Sequence, residues 1–323
     1  MFENCIRKYR EPEGGHLFSV VLAGDVCPGD AGGEAADVLR EVGGFIRSGD
    51  IRIVQWETPT VAKEEPIPKS GPNLNSPADS VDIVREAGFG VALLANNHIG
   101  DHGAAGVSET IAQLRSRGLE TVGAGETLAE AVRPLSLRAN GRSVMLLNFA
   151  ENEFGTADAD RPGSAPLSPL RNLQQTREAA QSAEFVIVAL HGGHEHNPFP
   201  SPRLQELCRA FADAGADLVF NCHTHCPEGV EYYHNAQIVY SPGNLYFPKY
   251  QSPLWNTGYL VRCGFDLRGV YELELCPYRF DRRKVTPLGA AGRSQFQRYL
   301  ERLCAPLARS EERRVGKECR SRW

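Results

Sequence analysis

The stretch Ala216–Leu245, ADLVFNCHTHCPEGVEYYHNAQIVYSPGNL, decides how the chain is read. It opens on the apolar run Leu218-Val219-Phe220, the form taken by a strand buried on both faces. The run stops at a polar loop carrying His223 and His225, one residue apart. A second run, Ile238-Val239-Tyr240, leads into the turn Ser241-Pro242-Gly243-Asn244. Loops after strand ends are where open α/β sheets hold ligands, and neutral imidazoles in such a loop suit transition metals. Taken alone, an H-x-H pair reads rather as two partly exposed loop histidines.

Working outward, the same form recurs. Phe18–Ala23 is a β-branched run ending in Gly24-Asp25, where the acid is placed for chemistry or for capping the next helix. Residues 51–56 end in Glu57, and residues 91–95 end in Asn96-Asn97-His98, with Asp101 and His102 just beyond. Residues 143–149 precede Glu151-Asn152-Glu153, and residues 185–190 run into HGGHEH, His191 to His196. Helical spacing is predicted over 34–45, 80–87, 104–117, 126–132, 170–182, 204–214 and about 295–307. Alternation around Asp266-Leu267-Arg268-Gly269 predicts a β-hairpin. Strands alternating with helices favour a parallel or mixed sheet with crossover helices. The stretch 66–77, rich in Pro, Ser, Gly and Asn, reads as a loop over the site or an edge. Residues 155–169, with three prolines, read as a lid or insertion.

Composition bounds the answer. A chain of 323 residues with 41% hydrophobic and 23% charged residues can bury a large core. The formal net charge of −5, with basic residues gathered only at the extreme C-terminus, argues against nucleic acid as a main partner. No run reaches the length of a membrane span, and the first twenty residues lack a signal-peptide core. A cytoplasmic location is expected. Nine cysteines without a CxxC pattern point to reduced thiols. A zinc knuckle through Cys222 and Cys226 would lack a second cysteine pair.

Seven of the nine histidines fall in three strand-end loops, which solvated surface histidines would not do. Carboxylates, imidazoles and an asparagine carbonyl together form a ligand set for two adjacent divalent ions.

These residues carry a resemblance. Gly24-Asp25, Gln55-Trp56-Glu57, Ala95-Asn96-Asn97-His98, His191–Glu195, Asp213–His225 and Tyr240–Asn244, in that order and spacing, resemble the CapA family. That family is named for a poly-γ-glutamate capsule synthesis protein and is similar to calcineurin-like metallophosphoesterases. The resemblance covers about Leu17 to Phe280. It implies a four-layer α/β/β/α sandwich with a centre for two divalent ions (Mn, Fe, Zn or Mg). In that arrangement Asp25 and His225 hold one ion, Asn97, His191 and His223 hold the other, and Glu57 bridges them. His98 is then the proton donor, oriented by Asp101. Glu195 is a substrate contact or a partner behind the ligands, and Asn244 a substrate contact.

The expected activity is metal-dependent hydrolysis of a phosphoester, ester or amide by a metal-bound hydroxide, on a small-molecule or polymer substrate that can be anionic. The rival expectation is a non-catalytic accessory role in synthesis or export of a capsule polymer such as poly-γ-glutamate. Departures from the phosphoesterase pattern include Cys27 where a histidine is usual, and Glu rather than Asp at 57. The expected organisation is a lead-in over 1–16, one domain over 17–308, and a disordered or non-native tail over 309–323.

Overall fold

The structure, a computed structural model, describes residues 5–30, 35–249 and 252–320, with backbone alone at 35–36 and 308–320. The first strands are β1 (Ile6–Lys8), β2 (Phe18–Val26), β3 (Ile51–Trp56), β4 (Val91–Leu93) and β5 (Glu120–Val122). Then come β6 (Ala124–Gly125), β7 (Leu135–Ala139), β8 (Arg142–Ala150), β9 (Gly163–Ser164), β10 (Phe185–His191) and β11 (Leu218–Cys222). The last are β12 (Val230–Tyr233), β13 (Ala236–Val239), β14 (Thr257–Asp266), β15 (Gly269–Phe280) and β16 (Val285–Pro287).

They form two mixed sheets and a short ribbon rather than one sheet. The first has eight strands in the order β1-β15-β14-β2-β3-β4-β5, with β16 on β15. Its β2, β3, β4 and β5 are parallel, and the hairpin β14-β15 joins antiparallel to β2. The second has six strands in the order β12-β13-β11-β10-β8-β7, parallel from β13 to β8. The ribbon pairs β6 with β9.

Side-chain patterning explains the arrangement. Strands β2 and β10 are buried along their whole length, as expected of parallel strands covered on both faces. One apolar cluster draws from both sheets, including Phe18, Val20, Ile53, Leu146, Ile187 and Phe220. A second joins the eight-stranded sheet to residues of the helices Asp82–Ala87 and Gly103–Ser116, and a third joins the six-stranded sheet to the helices Pro169–Ser182 and Pro202–Asp213. Each fully buried aliphatic or aromatic side chain contributes about 1.5–3 kcal/mol.

Several expectations meet corrections. The single helix expected over 34–45 is two short ones among the described residues, Ala35–Val38 and Gly43–Ile46, joined by tighter i→i+3 turns in which Val42 N–H donates to Leu39 O and Gly43 N–H to Arg40 O. Residues 155–169 are strapped down, since β9 pairs with β6 and Leu167 N–H donates to Ala150 O at 2.6 Å. The lead-in includes β1, which pairs with β15. The C-terminal helix runs Ala290–Arg320 through much of the expected tail, whose side chains lie outside the described residues.

Candidate metal centre

Parallel strands from both sheets end at one place. Asp25 lies near the end of β2, Glu57 directly follows β3, and residues 96–98 follow β4. From the other sheet, His191 ends β10, His223 follows β11, and the 241–244 turn follows β13. Asp25 and Glu57 have no exposed surface, and His191, His223 and His225 are also buried.

Two groups of ligand-type atoms result, each within 4.8 Å: Glu57 with His191 and His223, and Asp25 with Glu57 and His225. Glu57 belongs to both. His191 Nε2 lies 3.4 Å from Glu57 Oε1, and its Nδ1 lies 3.7 Å from Asp25 Oδ1. His225 approaches the same carboxylates at 3.6 Å and 3.7 Å. Asn97 Oδ1 is 3.1 Å from His191 Nε2, and His223 Nδ1 is 3.2 Å from that same nitrogen.

Backbone geometry sets this up. His223 and His225 have φ of 99° and 56°, the left-handed region that non-glycine residues enter at some expense and that clusters at functional sites. The kink turns His223 N–H onto Asp25 Oδ2 at 3.2 Å. Gly24 is needed because the 241–244 turn crosses it: an added Cβ would lie 1.8 Å from Gly243 O.

The electrostatics are those of a cluster suited to cations. Four buried atoms here have no hydrogen-bond partner among the described residues: Asp25 Oδ1, both Glu57 carboxylate oxygens and His191 Nδ1. Orphaned buried polar atoms are rare and destabilising. Burial pushes the Asp25 carboxyl up to about 7. Burial, then the Asp25 charge, holds Glu57 well above the carboxylate range. Burial, then neighbouring histidines, lowers His191 and His225 well below the usual imidazole range, and burial lowers His223 to about 4. Every group is driven to its uncharged form. Divalent cations reverse this for carboxylates, and neutral imidazole is the form that ligates. The residues present therefore fit a metal centre.

The remaining predicted residues are placed as follows. His98 Nδ1 is 2.7 Å from Asp101 Oδ2. Asn244 is buried with its Oδ1 2.8 Å from His225 Nδ1, and its Nδ2 donates to His225 O and Trp255 O. Glu195 is exposed, 3.7 Å from His196. His102 turns away, accepting Glu65 N–H at Nδ1. Cys27 is buried with its thiol pushed up to about 12 by burial, and Cys226 likewise. Neither ligand-type group includes a thiol.

Sequence reasoning missed four neighbours of the site. Glu153 accepts from Asn97 Nδ2 at 3.2 Å and lies 3.7 Å from His223 Nε2. Glu153 follows β8, so the strand-end pattern that found the others was available for it. Lys69, Trp255 and Phe247, the last two ring-packed on His225 at 4.6 Å and 5.5 Å, carried no local signal.

The fold defined by these elements is a mixed α/β fold with two main sheets, whose strand ends carry this cluster. A hypothetical protein from Thermus thermophilus has the same fold at TM-score 0.53 and 18% identity, covering 81% of this chain and 99% of that one. A 5'-nucleotidase precursor from the same organism has TM-score 0.50 and 10% identity, covering 90% of this chain and 59% of that one.

Residues 19–249 match the family of the bacterial capsule synthesis protein PGA_cap, and the chain belongs to that family. It is 32% identical over 255 residues to the capsule biosynthesis protein CapA of Bacillus anthracis, covering 74% of this chain and 61% of that protein. It is 31% identical over 257 residues to the PGA biosynthesis protein CapA of Bacillus subtilis, covering 78% of this chain and 67% of that protein. It thus spans about two thirds of these relatives' length. A third relative, 28% identical over 226 residues (66% of this chain, 58% of the relative), is a probable polyglutamine synthesis accessory protein of Mycobacterium tuberculosis. Among the described residues no helix is long and apolar enough to cross a membrane.

Proposed function

We propose that the chain is a metal-dependent hydrolase of a phosphoester or related ester or amide. The observation that carries this reading is the set of four partnerless buried atoms on Asp25, Glu57 and His191, facing one another at the strand ends. Asp25 and His225 would hold one divalent ion; Asn97, His191 and His223 the other; Glu57 would be shared. Such a pair, when bound, supplies Lewis-acid charge and an acidified water.

The chain's own residues do the rest. Asn244 fixes the His225 ring through Nδ1. Glu153, by accepting a hydrogen bond from Asn97 Nδ2, leaves Asn97 Oδ1 turned to His191. His98, with Nδ1 held by Asp101, would give a proton from Nε2 to the leaving group. Glu195, at the exposed rim, would meet the substrate. A neighbouring cavity of about 650 Å³ has Lys249, Arg282 and Arg283 on its wall together with Asp30 and Glu64, and the excess of one basic group supports a substrate with an anionic part. The three apolar clusters support a four-layer α/β/β/α sandwich, with residues 17–308 as one unit.

A second reading, a non-catalytic accessory role in making an anionic polymer, draws support from the accessory and biosynthesis names of the relatives. Metal content per chain, measured beside a phosphomonoester and phosphodiester screen with added Mn²⁺, separates the two. The hydrolase reading expects about two ions, turnover, and loss of both in His223→Ala. Full turnover in His223→Ala, or no metal and no turnover after reconstitution, overturns it.

A further inference from the structure

Lys69 lies in the 62–76 loop, where the polypeptide runs at the surface, yet its side chain keeps only 2% of its exposure. A lysine gives up that much hydration only for strong partners. Its ammonium bonds Asp101 Oδ1, lies 3.3 Å from His98 Nδ1, and stands over the Phe154 ring at 5.2 Å. The other oxygen, Asp101 Oδ2, accepts Leu74 N–H at 2.7 Å and faces His98 Nδ1 at the same distance. Ile67 N–H donates to Asp101 O at 2.9 Å, so the loop is fastened to Asp101 on both sides of Lys69. No hydrogen-bond partner engages His98 Nε2 among the described residues.

We propose that Lys69 is a positioning residue for His98. Its charge-assisted bond to Oδ1 stops the Asp101 carboxylate from swinging, so that Oδ2 stays in line with Nδ1. The Nδ1 proton is thereby kept on the Asp101 side, and the proton exchanged with a substrate is confined to Nε2. Without the ammonium, one Asp101 oxygen is free, the carboxylate can rotate about its Cβ–Cγ bond, and both ring tautomers become populated. This rests on the reading of His98 as proton donor, and the test keeps the two claims apart.

The tautomer is read directly by long-range ¹H–¹⁵N correlation on histidine-labelled protein, with His98 assigned through His98→Gln. The wild type is expected to show a proton on Nδ1, with Lys69→Arg the same and Lys69→Met shifted toward the Nε2–H pattern. Lys69→Gln, which keeps a hydrogen bond without the charge, stands in with the same two outcomes if Lys69→Met does not fold. Turnover adds a second readout. In Lys69→Met, kcat on an alkyl ester, which needs a protonated leaving group, should fall at least about tenfold with KM unchanged. On a p-nitrophenyl ester it should fall less than about threefold. A wild-type His98 pattern in a folded Lys69→Met overturns the proposal and leaves Lys69 as a strut for its loop. Absence of wild-type turnover sinks the hydrolase reading, while the nitrogen spectrum still decides Lys69.

Discussion

Asp25→Asn is expected to stabilise the metal-free protein while abolishing its response to metal. In the wild type Asp25 Oδ2 accepts His223 N–H, a bond that an asparagine oxygen retains, and Oδ1 has no partner. An amide nitrogen there would point at His191 Nδ1, 3.7 Å away, which is also partnerless. The carboxyl is pushed up from 3.8 to about 7 by burial, so its contribution to stability is fully present below 3.8 and is lost as pH rises through about 7. That gap, at about 1.36 kcal/mol per pH unit, makes ionised Asp25 cost about 4 kcal/mol at pH 8 without metal. Denaturant unfolding in chelator at about pH 4, 6 and 8 should therefore show the Asp25→Asn variant gaining on wild type as pH rises, toward about 4 kcal/mol. Glu57, held up in part by the Asp25 charge, ionises more easily in the variant and adds to its gain in the same direction. Mn²⁺ at about a hundred times its Kd should then add about 2.7 kcal/mol to wild type only. The reasoning is refuted if Asp25→Asn is the less stable protein at pH 8 in chelator, or if its advantage is the same at pH 4.

Other predictions test the frame around the site. Gly24→Ala places a Cβ 1.8 Å from Gly243 O, so the turn carrying Asn244 must move off His225. A loss of about 1–3 kcal/mol on unfolding and a lower metal content per chain are expected, and unchanged metal content would contradict the crossing. Arg209→Met strands Glu231, which Arg209 Nη2 and Tyr240 Oη both reach at 2.6 Å in a buried network. It should cost about 3–5 kcal/mol while leaving metal stoichiometry intact, and a loss of metal would show that the site depends on this remote pair.

Much of the site was legible because its residues follow a local rule. Asp25, Glu57, Asn97, His98, His191 and His223 each stand at the end of an apolar run, and such runs announce buried strands through solvent exclusion alone. The hairpin around Asp266–Gly269 and most crossover helices were readable for the same reason, since periodicity is a property of neighbouring residues. Short edge strands such as β1, β5 and β16, three residues each, were not, because too few positions exist to show a period.

The sequence by itself determined which residues would be buried, and which polar ones would stand at strand ends. Only the tertiary structure decided which strand ends of the two sheets converge on a common point, where Asp25 meets His223 across 198 residues of chain. Only the tertiary structure, too, brought in Lys69 and Trp255. The reason is physical: apolar periodicity reports local exclusion from water. The choice of strand neighbours and the seating of a loop side chain such as Lys69 are set by packing between segments far apart in sequence.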